Sequence, residues 1–245
     1  MSKRYLLERK NGIGEVSIEE AFPFLREMGH VISLVGGGGK TTLLYLLAET
    51  YAKNGYHTLL TTTTHIQRPK EDLWVHSEKE VEENWKQGKI AIIGEESGTE
   101  KMMSPEEKLF HYSKNQADAV VIEADGAKRM SCKVPNATEP VILLETDIVI
   151  GVMGLEVIGK PLNEVCFRLQ EAMELLSVPE NHRVTEEDAV KILTSHNGTR
   201  KGVETRTFYV VLNKCDDENR LQIGKKMLQL LKAQGIDHIV LTKLI

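Results

Sequence analysis

The chain has 245 residues, 41% of them hydrophobic and 27% charged, with a net charge of −5. This balance suits a soluble globular fold, and mild acidity without a long basic run argues against nucleic acid as a main partner. Its longest apolar runs are far too short to span a bilayer, and "MSKRYLLERKNG" lacks the apolar core of a signal peptide, so a cytoplasmic protein with no membrane contact is expected.

In chain order, residues 1–28 read as a helical lead-in, with Ser17 and Glu20 at capping-box spacing in "SIEEAFPFLREM". The strand "HVISLV" leads into four glycines, and "TTLLYLLAETYAKN" follows as a helix stopped at Gly55. "HTLLTTT" and "AIIG" read as strands, and "SPEEKLFHYSKN" as a helix. "DAVVIEADG" and "DIVIGVMG" are buried strands, and "TEEDAVKILTSH" is a helix capped by Thr185. The strand "TFYVVLNKCD" precedes the amphipathic "NRLQIGKKMLQLLKAQG", ended by Gly235, and "HIVLTKLI" closes the chain. Continuously apolar strands are those of parallel sheets, and strand-helix alternation gives an α/β fold with a mostly parallel doubly wound sheet. The expectation is one domain over residues 1–245. Ligands of such sheets sit beyond the carboxyl ends of the strands, where the polar clusters of this sequence fall.

The first cluster is "VGGGGKTT". Backbone N–H groups of Gly36, Gly37, Gly38 and Gly39 can converge on a phosphate, and the helix amino end adds partial positive charge. Lys40 reaches the terminal phosphates, Thr41 is placed for Mg²⁺, and Thr42 for the inner phosphates. The usual loop of this kind carries a glycine six positions before its lysine, and here that position is Leu34. The second cluster is "VVIEADG". Glu123 can hold magnesium, Asp125 can share that role or position a water, and the Gly126 N–H can read a γ-phosphate. Its E-x-x-G spacing resembles the acidic strand of the metallochaperone GTPases that mature urease and hydrogenase.

In "TTTTHI", Thr63 and Thr64 lie nearest the strand end, and Thr63 is the threonine expected to reach magnesium. "NKCD" matches the N-K-x-D pattern of guanine-binding proteins. Asp216 would accept hydrogen bonds from guanine N1–H and its 2-amino group, Lys214 would pack on the base, and Asn213 would tie loops together. Adenine lacks both donors, so GTP is favoured over ATP. Lys128, Arg129 and Lys133 in "DGAKRMSCKVP" could bind an anionic substrate or sit as a solvated loop. Arg168, Arg200 and Lys201 read as solvated faces, and lone His65 and His111 as non-ligands. Cys132, Cys166 and Cys215 form no CxxC and read as reduced thiols.

Taken in order, "VGGGGKTTLLYLLA", "LLTTTTHIQRP", "VVIEADGAKR", "KVPNATEPVI" and "VVLNKCD" resemble the YqeC-type proteins, a P-loop NTPase-like family. The resemblance runs from about Gly29 onward. The chain departs from it at His65, where lysine is expected, and at Cys132, where an aliphatic residue is expected. It implies an accessory protein in maturation of selenium-dependent molybdenum hydroxylases, with a hydroxylase or another maturation factor as partner. Joined to the motifs, the expected function is Mg²⁺-dependent GTP binding with slow hydrolysis. The alternatives are a phosphotransferase acting on a small anionic cofactor precursor and a non-hydrolysing nucleotide-binding scaffold.

Overall fold

The computed structural model describes residues 3–9, 12–69, 71–98 and 100–244. The chain opens with β1 (Arg4–Arg9), β2 (Gly12–Val16) and α1 (Ile18–Ala21), then β3 (His30–Gly36), α2 (Lys40–Lys53) and β4 (Thr58–Thr62). Next come β5 (Ile66–Gln67), α3 (Glu78–Lys86), β6 (Ala91–Ile92), β7 (Glu95–Ser97), β8 (Lys101–Met103), α4 (Glu107–Gln116) and β9 (Ala119–Glu123). β10 (Cys132–Lys133), β11 (Ile148–Gly154), α5 (Leu162–Val165), β12 (Cys166–Phe167), α6 (Leu169–Leu176) and α7 (Glu186–Thr194) follow. The last elements are β13 (Thr207–Asn213), α8 (Glu218–Ala233) and β14 (His238–Lys243).

The main sheet has the order β2-β1-β14-β13-β11-β3-β9-β4-β6. From β14 to β6 every pairing is parallel, and the β1–β2 hairpin joins antiparallel at the β14 edge. Alternate residues of each central strand feed opposite cores. Ile32, Leu34, Ile150 and Val211 pack with Leu43, Leu47 and Tyr51 of α2 on one face. Val35, Val149, Val210 and Leu212 pack with Ala189, Leu193, Leu228 and Leu231 of α7 and α8 on the other. With both faces covered, a strand can be apolar at every position, which is why these segments show no polar alternation. The fold is α/β with a mostly parallel, doubly wound sheet. β9 and β11 flank β3 on its two sides, so the chain reverses its direction of winding around the end of β3.

The segment 1–28 differs from the helical lead-in expected of it. Among its described residues, Arg4–Arg9 and Gly12–Val16 pair as the antiparallel strands β1 and β2, and only Ile18–Ala21 is α-helical, followed by a 3-10 turn at Pro23–Arg26. The Ser17–Glu20 capping box is present, but Pro23 has no N–H to donate, so the helix stops after one turn. No helix among the described residues is long and apolar enough to cross a membrane.

A second capping box starts α7, where Thr185 and Asp188 bond each other's backbone and His182 Nε2 lies 2.7 Å from Asp188 Oδ2. Burial pushes the Asp188 carboxyl up, but His182 and Thr185 outweigh it and hold the group below the usual carboxylate range. A depressed carboxylate stabilises the fold above its unfolded value near ~4, and that support fades as pH falls through the lower folded value. Asp188→Asn is therefore expected to cost about 1 kcal/mol at neutral pH and almost nothing in strong acid, measured by urea unfolding across pH.

Candidate functional site

The glycine loop turns off the end of β3 into α2. At Gly38 (φ +78°) a Cβ would sit 2.3 Å from the Gly154 backbone nitrogen, and at Gly39 (φ +123°) 2.2 Å from Asn213 Nδ2. Only glycine fits these approaches. Leu34 explains the missing early glycine. It is still strand, fully buried and in register with Glu123 of β9, and β3 runs on to Gly36 before the turn begins.

Gly36, Gly37 and Gly38, expected to turn their N–H groups toward a phosphate, donate them within the protein. Gly36 N–H donates to Asp125 Oδ2 (3.1 Å), Gly37 N–H to the Val152 carbonyl (2.8 Å) and Gly38 N–H to the Met130 carbonyl (3.0 Å). Asn213 Nδ2 donates to the Gly38 carbonyl at 2.7 Å, and Asn213 Oδ1 accepts from the Thr242 hydroxyl at 2.9 Å, locking the loop to β14. The first turn of α2 has no side-chain cap, so its N–H groups keep the partial positive charge that attracts anions.

Lys40, Thr41, Glu123 and Asp125 meet at the carboxyl ends of β3 and β9. Lys40 Nζ lies 2.6 Å from the Gly36 carbonyl, 3.1 Å from Asp125 Oδ1 and 3.7 Å from Glu123 Oε1. The Thr41 hydroxyl donates to Glu123 Oε2 at 2.9 Å, and Thr42 is half-buried in the same helical turn. Burial alone would push the Lys40 ammonium down, but Asp125 and Glu123 outweigh it and its pKa lies above the ordinary lysine value. Burial raises the Glu123 carboxyl, against the pull of Lys40 and the Thr41 hydroxyl. Asp125 Oδ1 is buried without a hydrogen-bond donor of good geometry. This all-oxygen donor set of hydroxyl and carboxylates is of the kind that suits a hard divalent cation.

Thr63 goes elsewhere. Its hydroxyl donates to the Val141 carbonyl at 2.8 Å, while Thr62 bonds the Glu123 carbonyl and Thr61 the Ile93 carbonyl. Thr64, half-buried, is the threonine beside Gly126. In "NKCD", Lys214 Nζ bonds Ser131 Oγ at 2.9 Å and also Glu156, and Asp216 accepts from Arg220 Nη1 at 2.7 Å while remaining exposed.

Lys133, Arg168, Lys201 and Glu156 had no local signal for the contacts they make. Lys133, expected in a basic loop, is 1% exposed. Its Nζ lies 3.3 Å from Asp125, 3.0 Å from Glu139 and 2.6 Å from the Gly126 carbonyl. Arg168, read as a solvated face, bonds Glu139 at 3.1 Å, and Lys201 bonds the Asn136 and Ala137 carbonyls. Glu156 binds Lys214 and Ser131, and these bonds hold its carboxyl below the usual range although burial pushes it up. The three cysteines are buried free thiols. The Cys166 thiol beside Cys132 and burial raise Cys132, and burial pushes Cys215 up to about 11, so neither offers a thiolate at neutral pH.

A cleft of about 330 Å³ lies apart from this site, with Glu171, Glu174 and Asn136 in its lining. Its lining cation, Lys201, is tied to the Asn136 and Ala137 carbonyls, and its two carboxylates suit a polyphosphate poorly, whereas the uncapped amino end of α2 suits one well.

The model of the family described as "YqeC protein" matches residues 32–170. A relative from Escherichia coli (strain K12), described as "Uncharacterized protein YqeC", is 30% identical over 229 residues, covering 85% of each chain. Among solved structures, hydrogenase maturation factor HypB from Archaeoglobus fulgidus is 16% identical and covers 92% of this chain and 86% of that one. Its TM-score of 0.37 is a distant likeness from which no function follows. On the family match and the relative, the chain belongs to the YqeC protein family.

Proposed function

We propose that this protein binds a nucleoside triphosphate with Mg²⁺ at the glycine loop, prefers GTP, hydrolyses it slowly and serves as an accessory factor in maturation of selenium-dependent molybdenum hydroxylases. The observation that carries the nucleotide reading is the meeting of Lys40, Thr41, Glu123 and Asp125 over the uncapped amino end of α2. The maturation role is supported by the motif resemblance alone.

Thr41 and Glu123 would hold the metal, with Asp125 nearby. Bound Mg²⁺ would offset the charge of the terminal phosphates. Lys40 would exchange its bonds to Gly36 and Asp125 for the phosphates, and the uncapped N–H groups of α2 would accept the remaining charge. Asp125, released from Lys40, is then the carboxylate placed to orient water. Asn213 holds the loop, and Asp216, with its carboxylate oriented by Arg220, reads the base.

The test is equilibrium binding of GTP and ATP to the parent and to Asp216→Ala. Losing charge-assisted bonds worth about 1.5–3 kcal/mol reduces GTP affinity roughly 10- to 150-fold and leaves ATP affinity nearly unchanged. Equal losses for both nucleotides would remove Asp216 from base recognition.

A further inference from the structure

Among the described residues, six non-glycines have left-handed backbone: Lys128 (φ 46°), Arg129 (φ 64°), Arg168 (φ 69°), Ser177 (φ 62°), Glu204 (φ 53°) and Lys214 (φ 62°). Four of these six are basic. Lysine and arginine gain nothing locally from this conformation, unlike asparagine, aspartate or glycine, and such strain concentrates where function needs it. Lys214 belongs to the "NKCD" loop. The other three come from two segments far apart in sequence, the loop after Gly126 and the end of β12. The parallel pairing of β10 with β12 joins these segments, setting Lys133 beside Phe167.

The basic groups converge on one aromatic ring. Lys128 Nζ lies 5.2 Å, Lys133 Nζ 5.5 Å and the Arg168 guanidinium carbon 4.9 Å from the centre of Phe167. The charges do not balance. Lys133 and Arg168 share Glu139, and Lys133 also shares Asp125 with Lys40. Lys128 and Arg129, both exposed, have no ion-pair partner among the described residues. Arg129 directly precedes Met130, whose carbonyl receives the Gly38 N–H, so this excess positive charge lies beside the glycine loop. A merely solvated basic loop would relax its backbone and spread its cations apart. This one is strained and brings them together on a ring face that helps hold them.

We propose that Lys128 and Arg168, gathered on Phe167, form with the neighbouring Arg129 a second anion subsite next to the glycine loop. It takes a small ligand bearing a phosphate group, with Arg168 and Arg129 presenting planar forks of donors and Lys128 a point charge. Lys133 is a buried support, tied to Asp125, Glu139 and Gly126, and not a ligand-binding group. The subsite goes beyond the nucleotide reading and would bring a second anionic molecule close to the nucleotide.

The test is equilibrium dialysis of radiolabelled inorganic phosphate against the full chain. The Lys40→Ala background weakens phosphate binding at the glycine loop, and the saturable binding that then falls with Lys128 and Arg129 reports the second subsite. Adding Lys128→Gln and Arg129→Gln to that background is expected to weaken phosphate binding at least about tenfold. Arg168→Lys, which keeps the charge but loses the fork, is expected to have an intermediate effect. In the parent background the Lys128→Gln, Arg129→Gln pair should leave GTP affinity within about twofold, since neither residue is assigned to the nucleotide. If the Lys40→Ala chain binds no phosphate at low millimolar concentration, or if the added substitutions change nothing, the subsite does not exist. A parent that binds no nucleotide, with phosphate binding still sensitive to Lys128 and Arg129, would sink the nucleotide reading and leave this one standing.

Discussion

Gly38→Ala is expected to lower the melting temperature by roughly 6–12 °C and to abolish nucleotide binding. The new Cβ would lie 2.3 Å from the Gly154 nitrogen and 2.8 Å from its Cα, both backbone atoms that cannot swing aside. The positive φ of 78° adds strain of its own. Together these amount to about 3 kcal/mol, from roughly 1 for the left-handed backbone and roughly 2 for overpacking, and each kcal/mol moves a domain of this size by about 2–4 °C. Relief requires the loop to move away from β11, which breaks the Gly38 bonds to Met130 and Asn213. Gly55→Ala is the control. Gly55 also has positive φ (+88°), but nothing lies within 4 Å of its Cβ position. It should cost only about 1 kcal/mol and leave binding intact. Calorimetry of both variants separates crowding from backbone preference, and equal losses would contradict the packing argument.

Lys40→Ala removes the one ammonium placed between Glu123 and Asp125, which are 5% and 2% exposed. Breaking a buried ion pair by deleting one partner costs roughly 3–5 kcal/mol. Asp125 keeps Lys133 and the Gly36 N–H, so Glu123, left with Thr41 alone, carries most of the penalty. Its carboxyl is already raised by burial, and losing Lys40 raises it further. An acid whose folded pKa exceeds its unfolded value loses stability as pH rises from the unfolded value through the folded one. The deficit of Lys40→Ala is therefore largest near neutral pH and shrinks toward acid, and Glu123→Gln in the same chain restores much of it. Nucleotide affinity should also fall roughly 10- to 150-fold, the range for one lost charged hydrogen bond. Urea titrations at several pH values read the first effect. A deficit independent of pH would mean that Glu123 does not carry the uncompensated charge.

The central sheet was legible because β3, β9, β11 and β13 are continuous apolar runs that end at glycines or polar residues. The glycine loop was legible because few structures need four glycines between a buried strand and a helix. The β1–β2 hairpin was not read. "RYLLER" is half-exposed between β2 and β14, so its two leucines fit a helix as well as a strand. The sequence does carry an Asn-Gly pair after "RYLLER", a common hairpin signal. α3 also left a signal, a Ser77 cap with Val81 and Trp85 one turn apart before Gly88. β5, β10 and β12 have two residues each, too few for any periodicity.

Within the site, Lys40, Thr41, Glu123 and Asp125 follow from motif spacing and do meet. Lys133, Glu139 and Arg168 do not follow from it. A lysine in "AKRMSCK" looks solvated, and only the crossing of two distant segments shows that it is buried. Thr63 is a similar case. Its hydroxyl follows the backbone past the strand end to the Val141 carbonyl, a partner 78 residues away.

The most direct test of the nucleotide site is titration of the unmodified chain with a fluorescent GTP analogue, with Mg²⁺ and with excess chelator. A site built on Lys40, Thr41, Glu123 and the amino end of α2 should bind one nucleotide per chain, at least about tenfold more tightly with Mg²⁺. Absence of saturable binding, or binding indifferent to Mg²⁺, would contradict it.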